Sequence, residues 1–441
     1  MRDLALLAIV IGSVPFIFRR PFFGLLLWVW FSIMNPHRLA YGFAYSFPFA
    51  MIVAIVVLTS LMVNAKKLYP FPINGVTAFM LLFILWINVS PIFSFYEDRD
   101  YEIWLRVIKI ITMVLVTFYM VGKREEIHLL TWVLALSIGF YGMKGGLFTL
   151  LHGGTDRVWG PEGSFIEENN GLALAIIMAV PIFRYLQLHS SNLWIRRGCV
   201  FIMLVCVASV VGSYSRGALI ALASMAVFLW LKSPNKAVLG IVGIVVGVTI
   251  FASMPDTWSN RMDSINTYEQ DASAQGRINA WWMAWNLALS RFPIGGGFNI
   301  YIPEVFARFA PNPNDIHAAH SIYFQVLGEH GFMGLFIFLG LFISAWRCGS
   351  WLIVHTKTRP ELRWARDLAG MLQVSLVGYF VGGAFLSLAY YDFPYYVASM
   401  LAITRIIVKR EIEAVEKKTR TMGVNTDFRA ADMLGFKKSW N

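Results

Sequence analysis

The sequence predicts an all-α integral membrane protein, with twelve or thirteen transmembrane helices and one large loop on the face opposite its lysines. Three observations point there. Of the 441 residues, 57% are hydrophobic and 14% are charged, against about 25% charged in a soluble domain. Mean hydropathy is +0.60. Apolar stretches of roughly 14–25 residues recur along the chain, the length of a helical span and unlike the alternating ten-residue strands of a β-barrel. Among the connections between those stretches, lysine occurs only in alternate ones.

The elements follow in order. Stretches 4–18 and 21–34 are parted only by Arg19-Arg20 and form either two spans or one embedded pair, which is why the count stands at twelve or thirteen. The first stretch has no small-residue cleavage site and runs straight into a second apolar segment, so it does not read as a signal peptide. Segment 35–46 carries no lysine and leads to span 47–64; Lys66-Lys67 follow, then span 74–95. The lysine-free 96–101 leads to span 102–121, Lys123-Arg124 to span 127–151, and the lysine-free 152–169 to span 170–186. Arg196-Arg197 open span 195–212; the short, lysine-free 213–216 turns into span 216–231; Lys232 and Lys236 lead to span 238–253. Then comes the long lysine-free loop 254–320, span 321–346, the basic run from Lys357 to Arg366, span 368–389, the lysine-free 390–393 and span 394–408. A tail with Lys409-Arg410 and Lys417-Lys418 reads as a surface helix with a flexible end. By the positive-inside rule the lysine set is cytoplasmic and the other set faces outward, which in a bacterium is the periplasm.

The organisation expected is a bundle with short loops over 1–253, a periplasmic loop over 254–320, a second part of the bundle over 321–408 and a cytoplasmic tail over 409–441. The net charge of +11 is mainly a topogenic signal, so nucleic acid is not an expected partner. Cys199, Cys206 and Cys348 fall in or beside apolar spans and read as packing residues. No Walker A, Gly-rich dinucleotide turn, HExxH or G-x-S-x-G occurs.

Chemistry concentrates on the outward face. Its cations are all arginines, Arg38, Arg99, Arg157, Arg216, Arg261, Arg277, Arg291 and Arg308, and the planar guanidinium suits bidentate contact with phosphate or carboxylate. Arg216 sits in a connection so short that its charge lies at or inside the boundary, where it needs a partner: a substrate, or a carboxylate such as Glu329 or Asp392. Arg277 opens a stretch in which Ile278, Trp281, Trp282, Trp285 and Leu289 read as one helical stripe lying on the membrane surface. A helix start also favours anions. Pro293 ends that helix, and Gly295-Gly296-Gly297 allow a tight turn or a close approach to ligand. His317 and His320 bracket the entry to the next span, with Tyr323, Glu329 and His330 close behind. They read either as hydrogen-bonded structural residues or as a site with a proton acceptor near neutral pH; a metal lacks an obvious third ligand. Arg157, Trp159, Glu162, Asn169 and Asn170 mix aromatic, amide and carboxylate groups in the way sugar sites do, and Tyr390, Tyr391, Asp392, Tyr395 and Tyr396 form a second such cluster. Arg106, Lys109 and Lys144 lie within spans, where a cation either snorkels or serves a function. Asp98-Arg99-Asp100 has the spacing of a metal-binding pair but lies in a run of charges that reads as a solvated acidic turn.

Three blocks together carry a resemblance: Ser215-Arg216-Gly217-Ala218; Gly276-Arg277 with Trp281 through Pro293-Ile294-Gly295-Gly296-Gly297; and His320-Ser321-Ile322-Tyr323 through Glu329-His330-Gly331. In their order, with many spans and one large outward loop, the chain resembles the O-antigen ligase and polymerase superfamily of bacterial inner membranes over roughly residues 70–405. Asn35-Pro36-His37-Arg38 and Trp159-Gly160-Pro161-Glu162 look closer to its exosortase-associated branch. The resemblance implies a GT-C-like glycosyltransferase fold and transfer of a polysaccharide from undecaprenyl diphosphate to a lipid A–core sugar, with inversion and with neither metal nor other cofactor. It implies that Arg216 and Arg277 hold the diphosphate and that His320 is the general base. Expected to bind substrate beside them are His317, Tyr323, Glu329, Arg157, Trp159, Asn170, Gly297 and Asp392. The expected partners are the lipid-linked polysaccharide, the lipid A–core acceptor and membrane lipid. An O-antigen polymerase or a protein O-oligosaccharyltransferase would use the same donor, while a transporter should show internal repeats, and none is clear in the sequence.

Overall fold

The computed structural model describes residues 1–95, 97–233, 235–263 and 272–421. The side chains of Asp98 and Arg99 in the expected acidic turn, and the expected flexible end beyond residue 421, lie outside the described residues. All regular structure among the described residues is helical. In order the α-helices are α1 (Arg2–Arg19), α2 (Pro21–Met34), α3 (Phe49–Val63), α4 (Gly75–Val89), α5 (Glu97–Met120), α6 (Arg124–Leu151), α7 (Asn169–His189), α8 (Leu193–Val211), α9 (Arg216–Lys232), α10 (Lys236–Ser253), α11 (Asp256–Asp263), α12 (Ala272–Ser290), α13 (Pro303–Phe309), α14 (Ile322–His355), α15 (Arg363–Gly383) and α16 (Asp392–Thr421). Each of the thirteen apolar stretches of the sequence is a helix. Among the described residues, six stretches are long and apolar enough to cross a membrane: Gly75–Phe93, Asp100–Met120, Arg124–Leu151, Asn169–His189, Leu193–Val211 and Ile322–His355. Pro21–Met34, Phe49–Val63 and Lys236–Ile250 are shorter apolar helices.

Local chemistry sets the helix ends. Arg20 is extended between α1 and α2, and Pro21 opens α2, where its missing N–H costs nothing. Asn74 accepts hydrogen bonds from Val76 and Thr77 at 2.9 and 3.2 Å, and Thr77 accepts one from the Asn74 backbone at 3.0 Å, a reciprocal cap. At the start of α6, Glu126 takes the N–H groups of Gly122 and Lys123 at 2.9 and 3.1 Å and pairs with Arg20 at 3.0 Å.

The centre of the bundle is α7, apolar around its whole girth and buried from Asn169 to Leu186 except at Asn170 and Arg184. A helix without a polar face belongs inside, and α6, α8, α9 and α15 surround it. On the other side α14 packs against α4, α12, α15 and α16. It is two helices meeting at Gly331, whose φ of 68° and ψ of −170° leave the helical region. Segment 254–320 is not an irregular loop. It holds α11, α12 and α13, and α12 buries Gly276, Asn279, Ala280, Met283, Ala284, Leu287 and Ala288 against the bundle. Trp282 and Leu289 remain 53% and 54% exposed on its far side, whereas Trp281 turns inward.

The chemistry converges on one end of the bundle. Helices α7, α9 and α14 begin there and α15 ends there; their other ends lead to Arg196-Arg197, Lys232, Lys357 and Arg363.

Candidate functional site

Arg216 is the first residue of α9, and the turn before it is held from three directions. Asn169 at the head of α7 donates to the Ser213 carbonyl at 2.6 Å. The Tyr214 hydroxyl donates to the Gly154 carbonyl at 2.6 Å. The Trp258 indole of α11 donates to the Val211 carbonyl at 3.0 Å. Tyr214 itself has a φ of 59°, a left-handed conformation that a tyrosine keeps only when its surroundings enforce it. Ser215 caps the new helix by accepting from the Ala218 N–H at 3.1 Å. The result fixes Arg216 at a helix start, where backbone N–H groups also favour anions.

Around this turn lies a polar cavity of about 60 Å³. Its guanidinium groups come from Arg157, Arg216 and Arg277, its amides from Asn169 and Asn170. The cation of Arg157 also lies over the Tyr214 ring, 5.9 Å from the centroid. Three arginines from segments 120 residues apart in sequence thus share one chamber.

The histidine segment is built on α12. Asn279 donates to the carbonyls of Asn312 and Asp315 at 2.8 and 2.9 Å and accepts from the Asn312 N–H at 2.9 Å. The Trp281 indole donates to the Ala319 carbonyl at 2.7 Å, and its ring stacks on Phe324 at 5.1 Å. His317 pairs with Asp315 at 2.9 Å and lies flat against Gly276, where a Cβ would sit 2.5 Å from Nδ1. Only a glycine lets the ring approach so closely. His320 adopts a φ of 42° just before α14 starts. Burial pushes its imidazole down to about 4, and the charges of Arg277 and His317 push the same way. It is therefore neutral at pH 7, the form that accepts a proton.

The glycine run does structural work. Breaking α14 at Gly331 leaves the carbonyls of Gly328 and Glu329 without helical partners. The N–H groups of Gly296 and Gly297 donate to them, each at 2.9 Å. The two backbones are in van der Waals contact: a Cβ on Gly331 would lie 2.1 Å from the Pro293 carbonyl oxygen, and one on Gly295 would lie 2.5 Å from the Gly331 nitrogen. Within a bundle, a helix break persists where neighbouring backbone re-satisfies the freed groups.

The structure brings together Arg216, Arg277, Arg157 and Asn170 in one chamber, with His320 close enough to Arg277 to feel its charge. The other expected residues lie elsewhere. Trp159 is 58% exposed on the preceding loop. Tyr323 donates its hydroxyl to the Phe380 carbonyl at 3.0 Å. Gly297 faces Ser94 and Asp100, and Asp392 is buried, accepting from the Ser32 hydroxyl. Glu329 accepts from the Tyr390 hydroxyl and lines a second, larger cavity. Asn169, part of the sugar-site mixture read from the sequence, lines the arginine chamber, as do Tyr214 and Phe385, which the sequence reading does not assign to binding. The Asn-Asn pair at 169–170 hinted at the first; nothing local marks the other two. Among the described residues, no three His, Cys, Asp or Glu side chains form a metal-holding group.

Residues 201–339 match the O-antigen ligase family (Wzy_C), a segment that includes Arg216, Arg277, His320 and Glu329. Residues 1–191, which include Arg157 and Asn170, match a family of unknown function (DUF5935). No curated protein matches the chain.

Proposed function

We propose, on the match of residues 201–339 to the O-antigen ligase family (Wzy_C), that this chain is an O-antigen ligase: an inverting glycosyltransferase of the bacterial inner membrane, GT-C-like, with twelve or thirteen crossings. It moves a polysaccharide from undecaprenyl diphosphate to a lipid A–core hydroxyl on the periplasmic face. The observation that carries the proposal is one cavity walled by Arg157, Arg216 and Arg277 with a neutral, half-buried His320 beside it. The orientation is supported by the helix ends, since those remote from this cavity lead to the lysines and to Arg196-Arg197.

The arginines hold the donor's diphosphate. At about 60 Å³ the chamber is far below the 300–1,000 Å³ of small-molecule sites, so the exposed Arg157 side chain swings aside as the head group enters. His320 takes the proton of the acceptor hydroxyl. The freed oxygen attacks the anomeric carbon from the face opposite the phosphate, and the carbon–oxygen bond to phosphate breaks. Its electron pair leaves on undecaprenyl diphosphate, whose growing charge Arg216 and Arg277 stabilise. General-base assistance of this kind contributes about 10²–10⁴-fold.

The test is ligation in a strain lacking its own ligase, comparing wild type with Arg216→Ala, Arg277→Ala and His320→Ala at matched membrane levels. Capped lipid A–core from wild type alone is expected. Capping that survives His320→Ala removes the general-base role. Lengthened lipid-linked chains without capping make the protein a polymerase.

A further inference from the structure

The second cavity adjoins the same end of the bundle and differs in every chemical respect. It encloses about 520 Å³, within the 300–1,000 Å³ of small-molecule sites. Its polar wall comes from Glu102, Asn299, Tyr301, Gln325, Glu329 and Ser387, and Ile103 and Ile302 supply apolar surface. Ala318 also lines it, so the segment from His317 to His320 borders this chamber, while His320 feels the charge of Arg277, which lines the first chamber. Among the described lining residues there are two carboxylates and no lysine or arginine. The hydroxyls of Tyr301 and Ser387 are buried without a hydrogen-bond partner. Buried polar groups are rarely left so, and hydroxyls waiting for partners suit a wall that closes on a polar ligand.

We propose that this second cavity is the acceptor-sugar subsite, and that it takes a sugar ring that is neutral or amine-bearing and carries no phosphate. A pyranose has a hydroxyl rim for amides, hydroxyls and carboxylates and a flat apolar face for Ile103 and Ile302. A hydroxyl or ammonium group can donate to Glu102 and Glu329. A phosphate would bring its charge beside the Glu102 carboxylate, with no lysine or arginine among the described lining residues to pair with it. The division of labour follows: phosphate on the arginine side, sugar on the carboxylate side, His320 between them. The acceptor role rests on the ligase reading above; the sugar-binding chemistry of the cavity stands by itself.

The experiment is saturation-transfer NMR on the full chain in lipid nanodiscs. Its probes are methyl glucoside, methyl 2-amino-2-deoxyglucoside and glucose 6-phosphate. The first two are expected to bind saturably, and the phosphate at least about tenfold more weakly. In Tyr301→Phe/Ser387→Ala the lost hydroxyls have no partner in the free protein, so thermal stability should hold. Sugar binding should weaken about tenfold, as expected for two lost hydrogen bonds. Arg216→Ala should leave it unchanged. Equal binding of the phosphorylated sugar, unaltered binding in the double variant, loss of binding in Arg216→Ala, or no binding at all would each overturn the assignment. No donor or turnover enters this readout. Sugar binding without transfer would sink only the ligase reading, and transfer without sugar binding only the subsite.

Discussion

Replacing Gly331 by alanine tests the broken helix beside the chamber that Glu329 lines. Its φ of 68° and ψ of −170° lie in a region that is essentially glycine-only, and holding a side chain there costs about 1–3 kcal/mol. The new Cβ would also lie 2.1 Å from the Pro293 carbonyl oxygen, a backbone atom that cannot rotate away. The glycine run must therefore retreat, and the two 2.9 Å bonds from Gly296 and Gly297 to the ends of the broken turn go with it. Each is worth about 0.5–1.5 kcal/mol net. Together the loss is about 2–6 kcal/mol. Gly198 in α8 provides the control, because a Cβ there meets nothing within 4 Å and alanine is the better helix former by about 1 kcal/mol. The assay is denaturant unfolding of the full chain in nanodiscs, followed by tryptophan fluorescence. Gly331→Ala should unfold at much lower denaturant than wild type, and Gly198→Ala at the same or slightly higher. Coincident curves for Gly331→Ala and wild type would mean that the glycine run does not lock the break.

Three further outcomes are expected. Burial and the neighbouring Arg277 hold His320 at about 4 instead of the usual 6.5. Only the protonated ring is unable to act as a base, and it accumulates only below that value. The acid limb of kcat/KM for transfer should therefore fall near pH 4, and a limb near 6.5 assigned to His320 by substitution would refute its depressed pKa. Trp281→Phe keeps the stack on Phe324 and removes the 2.7 Å bond to Ala319; a loss of about 1 kcal/mol in positioning should lower kcat roughly fivefold with little change in donor KM. Gly276→Ala puts a Cβ 2.5 Å from His317 Nδ1 and parts that ring from Asp315. Thermal stability should hold or rise, since the helix gains alanine, while transfer falls about tenfold or more from misplacement of the segment. Unchanged turnover would show that the position of His317 is immaterial.

The helices and the arginine chamber were legible for a simple reason. Hydropathy over fifteen residues is a local quantity, and so is the lysine count of a short connection. Arg216 was conspicuous because its connection is too short to let its charge escape the boundary. Local pattern failed where the answer lay in another segment. Gly295-Gly296-Gly297 allows either a turn or a ligand cradle; the N–H groups of Gly296 and Gly297 are taken by carbonyls of a helix break more than thirty residues later. Trp281 was grouped with Trp282 and Trp285 on one membrane-facing stripe. Successive helix residues are 100° apart, and that rotation is enough to turn Trp281 inward onto Ala319 while Trp282 stays outside. The walls of the second chamber come from α5, the segment after the glycine run, α14 and the connection before α16. No sequence window contains them together.

Helix α12 explains how the segment bearing His317 and His320 keeps its place although it is not itself helical. It carries Arg277 itself, and through Gly276, Asn279 and Trp281 it fixes the segment that bears His317 and His320. Arg277 and the segment bearing His320 are thus both set by α12. Arg216 belongs to a different unit, the turn clamped by Asn169, Gly154 and Trp258. A relative shift of α12 and α9 would open or close the chamber between Arg277 and Arg216 without disturbing the geometry of Arg277 and His320. On the ligase reading proposed above, such a shift would let a lipid-linked diphosphate enter between the two arginines without displacing His320 from Arg277.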